Sequence, residues 1–203
     1  MSNRSPFTAA RIPATTVLAP ALTVGCASAV PSADQPAPKA AAVGPKVGDE
    51  AKDFELASIG GEKVKLSKVT EGGPVVLVVL RGYPGYQCPI CTKQFAEFRG
   101  KADEFKKAGA QVLFVYPGPS DGLKDRAAEF VKGKDYPAHF TILLDPDYTF
   151  TTAYGLRWDA KNETAYPSTF VIDGKRKVTF AKVSTTHGDR ANVGDVLKAL
   201  TAK

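Results

Sequence analysis

Three runs of apolar, mostly β-branched residues constrain the fold of this chain more than any other feature of its sequence. They span residues 74–80, 111–116 and 168–173. Runs of this kind are typical of strands that are buried on both faces of a sheet. Because such strands alternate here with helical segments, the sequence predicts an α/β layer structure with helices on both sides of a central sheet.

Helical and turn patterns occupy the segments around these runs. Residues 54–66 alternate in polarity around Gly60 and Gly61, which predicts a small β-hairpin before the first run. Apolar residues at positions 91, 95, 98, 102 and 105 follow steps of three and four, which predicts one helix that ends at Gly109. Further helices are expected at 123–132 and 193–200, and a second hairpin at 168–182.

The first 45 residues differ in composition from the rest of the chain. They hold seven of the 15 prolines but only one aromatic residue, Phe7. The hydrophobic core therefore belongs to residues 46–203, which are predicted to form one folded domain. Residues 30–45 are rich in Pro and Ala and are predicted to form an extended linker.

An export signal is predicted over residues 1–29. Arg4 and Arg11 precede an uncharged stretch at 12–25, which is followed by Cys26 and several small residues. Positive residues, a short apolar stretch and small residues in this order are typical of a secretory signal. The apolar stretch is shorter than the ~20 residues that a transmembrane helix needs.

The segment Thr23-Val24-Gly25-Cys26 resembles a bacterial lipobox, in which the cysteine is lipidated and becomes the mature N-terminus. Thr23 departs from that pattern, since leucine is usual there. The main prediction is a lipoprotein of the periplasm or cell envelope, tethered to the membrane through Cys26. Two alternatives stay open: cleavage after Ala29, and an N-terminus that carries no signal.

Two cysteines, Cys88 and Cys91, follow the first buried run at the start of the predicted helix. Thiols three residues apart in this position can reach disulfide distance. The free N–H groups and the dipole of the helix also stabilise a thiolate, which is the reactive form. Cys91 begins the apolar stripe and is expected to be buried, whereas Cys88 is expected to be exposed. We therefore predict that Cys88 attacks a substrate and that Cys91 resolves the intermediate.

Metal and nucleic-acid partners are not expected. Only Cys26, His139 and His187 could add ligands to the cysteine pair, and their spacing is not that of a zinc site. No cofactor is predicted. The net charge is +6, but basic and acidic residues are interspersed, so the sequence carries no nucleic-acid footprint.

Residues 47–203 resemble the thioredoxin-fold superfamily, in two of its branches. One is the peroxiredoxin-like branch of alkyl hydroperoxide reductase and thiol-specific antioxidant type, and the other contains periplasmic thiol-disulfide reductases. The resemblance rests on the hairpin at 54–66, the first buried run, the cysteine pair and the segment from Tyr166 to Gly174. It implies a thioredoxin-like fold, with a central mixed β-sheet flanked by helices and an N-terminal β-hairpin.

The two branches assign different roles to the same residues. Pro84, Cys88 and Cys91 match the peroxiredoxin pattern of Pro, three residues, Thr or Ser, two residues and Cys, which implies that Cys91 is peroxidatic and Cys88 resolving. Pro167 stands where peroxiredoxins carry an arginine, and Arg81 is a candidate substitute for that charge. Pro167 resembles the cis-proline of thioredoxins, which implies a cis bond after Tyr166 and a substrate-binding role beside the cysteines.

The main prediction is a thiol-disulfide oxidoreductase of the cell envelope that acts on a disulfide-containing protein. Its catalytic residues are Cys88 and Cys91, and its substrate-binding residues are Arg81, Pro84, Tyr166 and Pro167. The first alternative is a peroxiredoxin-like peroxidase that acts on a hydroperoxide with a thiol electron donor. The second is a redox-inactive binding module stapled by a structural disulfide.

The mature N-terminus tests the export prediction. We expect mass spectrometry of the protein from a bacterial host with lipoprotein processing to find a chain that begins at lipidated Cys26. A Cys26→Ser variant, expressed in the same host as the control, should carry no lipid. A wild-type chain that keeps Met1, or that begins at Val30, would contradict the lipid anchor.

Overall fold

The computed structural model describes residues 43–202. The predicted export signal, Cys26 and most of the predicted linker lie outside the described residues. Between residues 43 and 202, no helix is both long and apolar enough to cross a membrane.

Seven strands and six helices make up the described part of the chain. In chain order they are β1 (Glu55–Ala57), β2 (Lys63–Lys65), α1 (Leu66–Glu71), β3 (Val75–Val79), α2 (Pro89–Arg99), α3 (Ala102–Lys107), β4 (Gln111–Gly118), α4 (Leu123–Val131), β5 (Phe140–Pro146), α5 (Thr149–Ala153), β6 (Ser168–Ile172), β7 (Val178–Val183) and α6 (Val193–Thr201).

A five-stranded mixed sheet lies at the centre, with the strand order β5-β4-β3-β6-β7. Strand β3 is parallel to β4, and β4 is parallel to β5. Strand β6 runs antiparallel to both β3 and β7. The three apolar runs of the sequence thus form adjacent central strands, and the predicted mixed sheet with flanking helices is confirmed.

Side chains of β3 alternate between two core layers. Val76 and Val78 pack with residues of α2, α3, α4 and α6 on one face of the sheet. Val75, Leu77 and Val79 pack with residues of the β1–β2 hairpin, α1 and α5 on the other. Every residue of β3 is fully buried, as expected of a strand covered on both faces.

The predicted helix from 91 to 109 is two helices. Helix α2 ends at Gly100, and α3 begins after Lys101, which has non-helical backbone angles. Glycine has a low helix propensity, which explains why the break falls at Gly100. The break still leaves Phe98 and Phe105 stacked in the core, with ring centroids 5.4 Å apart. Gly109 follows α3 with a φ of +68°, as predicted for a residue that ends a helix.

Strand β5 is a central-sheet element that the sequence analysis did not predict. It pairs with β4 at one edge of the sheet, and four of its seven residues are buried. Its buried Asp145 accepts hydrogen bonds from the backbone N–H groups of Phe150 (2.7 Å) and Thr151 (3.0 Å). These bonds satisfy the first turn of α5, which explains a charged residue inside the strand.

Phe95 on α2 provides a test of the core packing. It is fully buried, and its ring lies 4.9, 5.5 and 5.8 Å from those of Phe114, Phe130 and Tyr136. Because Phe95→Ala leaves a cavity among these rings, we expect it to lower the free energy of unfolding by about 3–5 kcal/mol in urea denaturation. Val47→Ala, at a site 63% exposed, is the control and should change it by less than ~0.5 kcal/mol. A loss below ~1 kcal/mol for Phe95→Ala would contradict this packing.

Candidate active site

Cys88 and Cys91 lie together where the loop after β3 enters α2. Cys88 is the N-cap of the helix, and its sulfur accepts a hydrogen bond from the backbone N–H of Cys91 at 3.4 Å. Pro89 follows at the first helical position, where the missing N–H costs nothing. Both thiols are free. The helix start and the cysteine pair are therefore arranged as predicted.

Both cysteines are buried, each with 2% of its surface exposed. The prediction that Cys88 is exposed is wrong, because its side chain turns back over the first helical turn to cap it. Neighbouring Gln87 fixes the loop over this position: its amide oxygen accepts from the Tyr116 hydroxyl at 2.9 Å, and its amide nitrogen donates to the Arg126 carbonyl at 2.8 Å. Only a small reactant can reach sulfurs buried to this extent.

The Cys91 sulfur faces two further nitrogen donors. The backbone N–H of Arg81 lies 3.4 Å from it, and the Arg190 guanidinium lies 3.6 Å from it. Arg190 is held in turn by the Gln94 side-chain oxygen at 3.0 Å and the His187 carbonyl at 2.8 Å. Arg190 is the residue of this candidate site that the sequence analysis missed. It lies 99 residues from Cys91 in the chain, in a segment without a motif.

The surroundings of the two thiols favour one negative charge on the pair, carried by Cys88. The hydrogen bond with the Cys91 side chain lowers the pKa of Cys88 to about 5, against the opposing effect of burial. The same bond raises the pKa of Cys91 above its usual range, and burial raises it further. The positive charge of Arg190 lowers the pKa of both thiols. The pair therefore loses one proton readily and keeps the other.

The Arg81 side chain does not replace the missing peroxiredoxin arginine. Its guanidinium donates to the Glu163 carboxylate at 2.8 Å, to the Tyr86 hydroxyl at 2.6 Å and to the Asn162 carbonyl at 2.8 Å. Arg81 and Glu163 are both largely buried, with 4% and 12% of their side chains exposed. Only the backbone N–H of Arg81 contacts Cys91. Arg190 instead brings the positive charge to the sulfur.

Glu163 connects this ion pair to the segment that carries Arg190. Its second carboxylate oxygen lies 2.9 Å from the His187 ring nitrogen. The His187 ring packs on Trp158, with centroids 5.2 Å apart, and Trp158 stacks on Tyr166 at 4.6 Å. His187, Trp158 and Tyr166 therefore form one aromatic cluster beside the ion pair.

The Tyr166–Pro167 bond is trans, as is every peptide bond between residues 43 and 202. The predicted cis-proline is therefore wrong. Pro167 is buried directly before β6, where its carbonyl accepts from the Ser184 N–H at 2.9 Å. Proline is tolerated at the start of a strand, since it has no N–H to donate to the ladder. Ser168 pairs with Val79, so Pro167 still lies next to the carboxyl end of β3.

Pro84, the remaining predicted substrate-binding residue, lies half-buried in the loop between β3 and α2. The structure thus brings a nucleophilic thiol pair, a guanidinium and backbone N–H donors to the carboxyl end of the central strand. Within residues 43–202, no group of three or more His, Cys, Asp or Glu residues could hold a metal ion. The fold and these groups define a thiol-dependent oxidoreductase with a thioredoxin-like fold.

Comparisons with known proteins identify the family. A sequence model of the AhpC/TSA family matches residues 47–181. The chain is 31% identical over 179 residues to the chloroplastic peroxiredoxin Q of Triticum aestivum, which covers 86% of this chain and 77% of that protein. The chain belongs to the AhpC/TSA family.

Solved structures agree with this assignment. The crystal structure of peroxidoxin BcpB from Mycobacterium tuberculosis matches with a TM-score of 0.64 and 30% identity, over 77% of this chain and 96% of that one. A yeast mitochondrial 1-Cys peroxiredoxin matches with a TM-score of 0.62 and 20% identity, over 78% and 76% of the two chains, which shows the fold alone. These findings favour the peroxiredoxin-like peroxidase, the first alternative of the sequence analysis, over the disulfide reductase that was its main prediction.

The shared charge of the thiol pair predicts an unusual pH titration. With Cys26→Ser as the background, we expect the ultraviolet absorbance of thiolate to rise with a midpoint near pH 5, because the pKa of Cys88 is lowered to about 5. It should then stay at one thiolate per chain through neutral pH, because the pKa of Cys91 is raised. An ordinary thiol ionises near pH 8.5.

Arg190→Gln should move this midpoint to higher pH, because the variant loses a positive charge that lowers the pKa of both thiols. Arg176→Gln removes an equal charge, one that pairs with Glu50 and not with the cysteines, and should leave the midpoint in place. Two thiolates that ionise together near pH 8.5, or equal shifts in both variants, would contradict the arrangement.

Proposed function

We propose that this protein is a thiol peroxidase, in which Cys91 attacks a hydroperoxide and Cys88 resolves the oxidised intermediate. The observation that carries this proposal is the Arg190 guanidinium at 3.6 Å from the Cys91 sulfur. A positive charge at this point stabilises the thiolate. It is also placed to stabilise the negative charge that develops on the peroxide oxygen as the O–O bond breaks.

In the first step, the Cys91 thiolate attacks one peroxide oxygen. The O–O bond breaks, the sulfur becomes a sulfenic acid, and the other oxygen leaves as an alkoxide or hydroxide that takes up a proton. Before the attack, the proton of Cys91 passes to the hydrogen-bonded Cys88 thiolate, so that the negative charge moves to Cys91, where the Arg81 N–H and Arg190 receive it.

In the second step, Cys88 has lost its proton again, and its thiolate attacks the sulfur of the sulfenic acid and displaces hydroxide, which takes up a proton and leaves as water. The product is a Cys88–Cys91 disulfide. The two residues belong to one turn at the start of α2, so their sulfurs are neighbours before the reaction begins. A thiol donor then returns the pair to its reduced state, with two electrons per cycle.

Burial supports a peroxide substrate over a protein disulfide. Each cysteine exposes only 2% of its surface, so a folded protein cannot bring a disulfide bond into line with either sulfur without rearrangement of the loop at 82–87. A hydroperoxide has few atoms near its reactive oxygens and meets no such obstacle. The wheat relative is a peroxiredoxin by name and the mycobacterial one a peroxidoxin, which agrees with this choice.

Four residues are proposed to border the substrate. Arg81 contributes its backbone N–H, and Pro84 lies half-buried in the loop that joins β3 to the cysteine pair. Tyr166 and Pro167 lie at the start of β6, beside the end of β3. Their contribution is to shape the approach to Cys91, since the guanidinium of Arg81 is committed to Glu163.

The cellular location is proposed from the sequence alone. Residues 1–29 act as an export signal of lipoprotein type, residues 30–45 act as a tether, and lipidated Cys26 holds the enzyme at the cell envelope. Such an enzyme would remove hydroperoxides outside the cytoplasm.

The two cysteines should fail differently when they are replaced. In a Cys26→Ser background, Cys88→Ser should consume about one equivalent of hydrogen peroxide per chain and stop as a sulfenic acid, because Cys91 keeps its donors but has lost its resolving thiol. Cys91→Ser should react with peroxide at least ~10²-fold more slowly. Stopped-flow oxidation followed by mass spectrometry measures both.

The same variants, mixed with a disulfide-containing substrate, separate the alternatives. If the protein is a disulfide reductase, Cys91→Ser will trap stable mixed disulfides at Cys88, and peroxide will react slowly with the wild type. If it is a redox-inactive module, the wild type will reduce neither the peroxide nor the disulfide-containing substrate. Either result would overturn the peroxidase proposal and leave the fold unaffected.

A further inference from the structure

A small cavity lies against the residues that hold Cys91. Its volume is about 220 Å³, which is below the ~300–1,000 Å³ of sites for drug-sized ligands, so the part of a ligand that it encloses has few heavy atoms. Helix α2 and the segment before α6 line it. The lining residues are Ile90, Lys93, Gln94, Glu97, Gly188, Arg190, Ala191 and Asn192.

Arg190 has hydrogen-bonding capacity left for an occupant. A guanidinium carries five N–H donors. Three of them face the His187 carbonyl, the Gln94 oxygen and the Cys91 sulfur. Two donors remain on a residue that also lines the cavity. Paired N–H groups of a guanidinium match the two oxygens of a carboxylate.

The charges around the cavity also favour a carboxylate. Lys93 adds a second cation at the opposite wall, on the exposed side of α2. Glu97 offsets part of this charge, but its nearest oxygen lies 4.0 Å from the Lys93 nitrogen, and the Lys93 side chain is 78% exposed and that of Glu97 46%. The pair is therefore weak, and Lys93 can turn to an anionic ligand at little cost.

The oxidation state of the cysteines controls how strongly Arg190 attracts an anion. In the reduced protein, the shared thiolate charge lies beside the guanidinium and competes with a ligand. In the Cys88–Cys91 disulfide this negative charge is gone, so the cation loses its partner. A carboxylate in the cavity is therefore held most tightly by the oxidised protein.

We propose that this cavity binds the carboxylate of a small thiol that reduces the Cys88–Cys91 disulfide. The inference rests on the proposed function, because it supplies the electron donor for that cycle. The bound thiolate attacks one sulfur of the disulfide and forms a mixed disulfide, and the other cysteine leaves as a thiolate. A second thiol then displaces the protein sulfur, so two thiols become one small disulfide and the pair gains two electrons.

A carboxylate-bearing hydroperoxide has the same anionic group, but it reacts with the reduced protein, in which the thiolate competes for Arg190. The cavity is therefore assigned to the reductant and not to the oxidant.

The test compares two small thiols as reductants of the disulfide. The protein, with Cys26→Ser as background, is oxidised with diamide, and a loss of two hydrogens per chain in mass spectrometry shows the disulfide. Rates of reduction by 3-mercaptopropionate and by 2-mercaptoethanol are measured at one pH and one ionic strength. The ratio of the two rates cancels effects on the disulfide itself and reports the carboxylate preference.

Lys93→Gln should lower this ratio about three- to fivefold, the effect of one exposed charge pair. Lys124→Gln, an exposed lysine on α4 away from the cavity, is the matched control and should leave the ratio unchanged. Equal ratios in the wild type and in both variants would overturn the assignment. The assignment also fails if Lys93→Gln alters only the preference of the reduced protein for a carboxylate-bearing hydroperoxide over tert-butyl hydroperoxide.

This test does not use peroxide to form the disulfide, so its outcome is separable from that of the proposed function. A protein that reduces no peroxide but keeps a Lys93-dependent thiol preference would overturn the peroxidase and retain the cavity assignment. An active peroxidase without that preference would overturn the cavity assignment and retain the peroxidase. A chain that forms no Cys88–Cys91 disulfide with diamide would overturn both.

Discussion

One negative charge on a buried pair of sulfurs is the constraint on which the rest of the site depends. A buried charge is costly unless donors surround it. Here the donors come from separated parts of the chain: the end of β3 supplies the Arg81 N–H, the first turn of α2 supplies the Cys91 N–H, and the segment before α6 supplies Arg190. These donors reach the sulfurs only when the fold has brought the three segments together.

The ion pair of Arg81 and Glu163 helps to fix the end of β3 relative to the segment before α6. Glu163 binds the strand end through Arg81 and the Arg190-bearing segment through His187. Loss of one partner from a pair buried to this extent would leave an uncompensated charge in the interior. The network therefore links the stability of the fold to the position of the reactive thiol, although the Glu163 carboxylate itself is not hydrogen-bonded to either sulfur.

The central strands, the hairpins and the cysteine pair were predictable because each depends on local pattern. Strand β5 was missed because Thr141 and Asp145 interrupt its apolar residues, so it lacks the continuous β-branched run of the other central strands. The helix break at Gly100 was missed because an apolar stripe does not show where one helix ends and the next begins. Cys88 was wrongly predicted to be exposed because its position before the helix does not determine which way an N-cap side chain turns. Arg190 and the trans bond before Pro167 depend on contacts between distant segments, which a single sequence does not contain.

Both reactive sulfurs lie in one turn of one helix, a span of about 5 Å along the axis. Under the proposed mechanism, the oxidised and reduced states therefore interconvert without a thiol from a second chain. Each polypeptide is a complete catalytic unit, and turnover per chain is independent of protein concentration. If the tether at 30–45 holds such a unit at a membrane, it works at any surface density, since no encounter between copies is needed to complete the cycle.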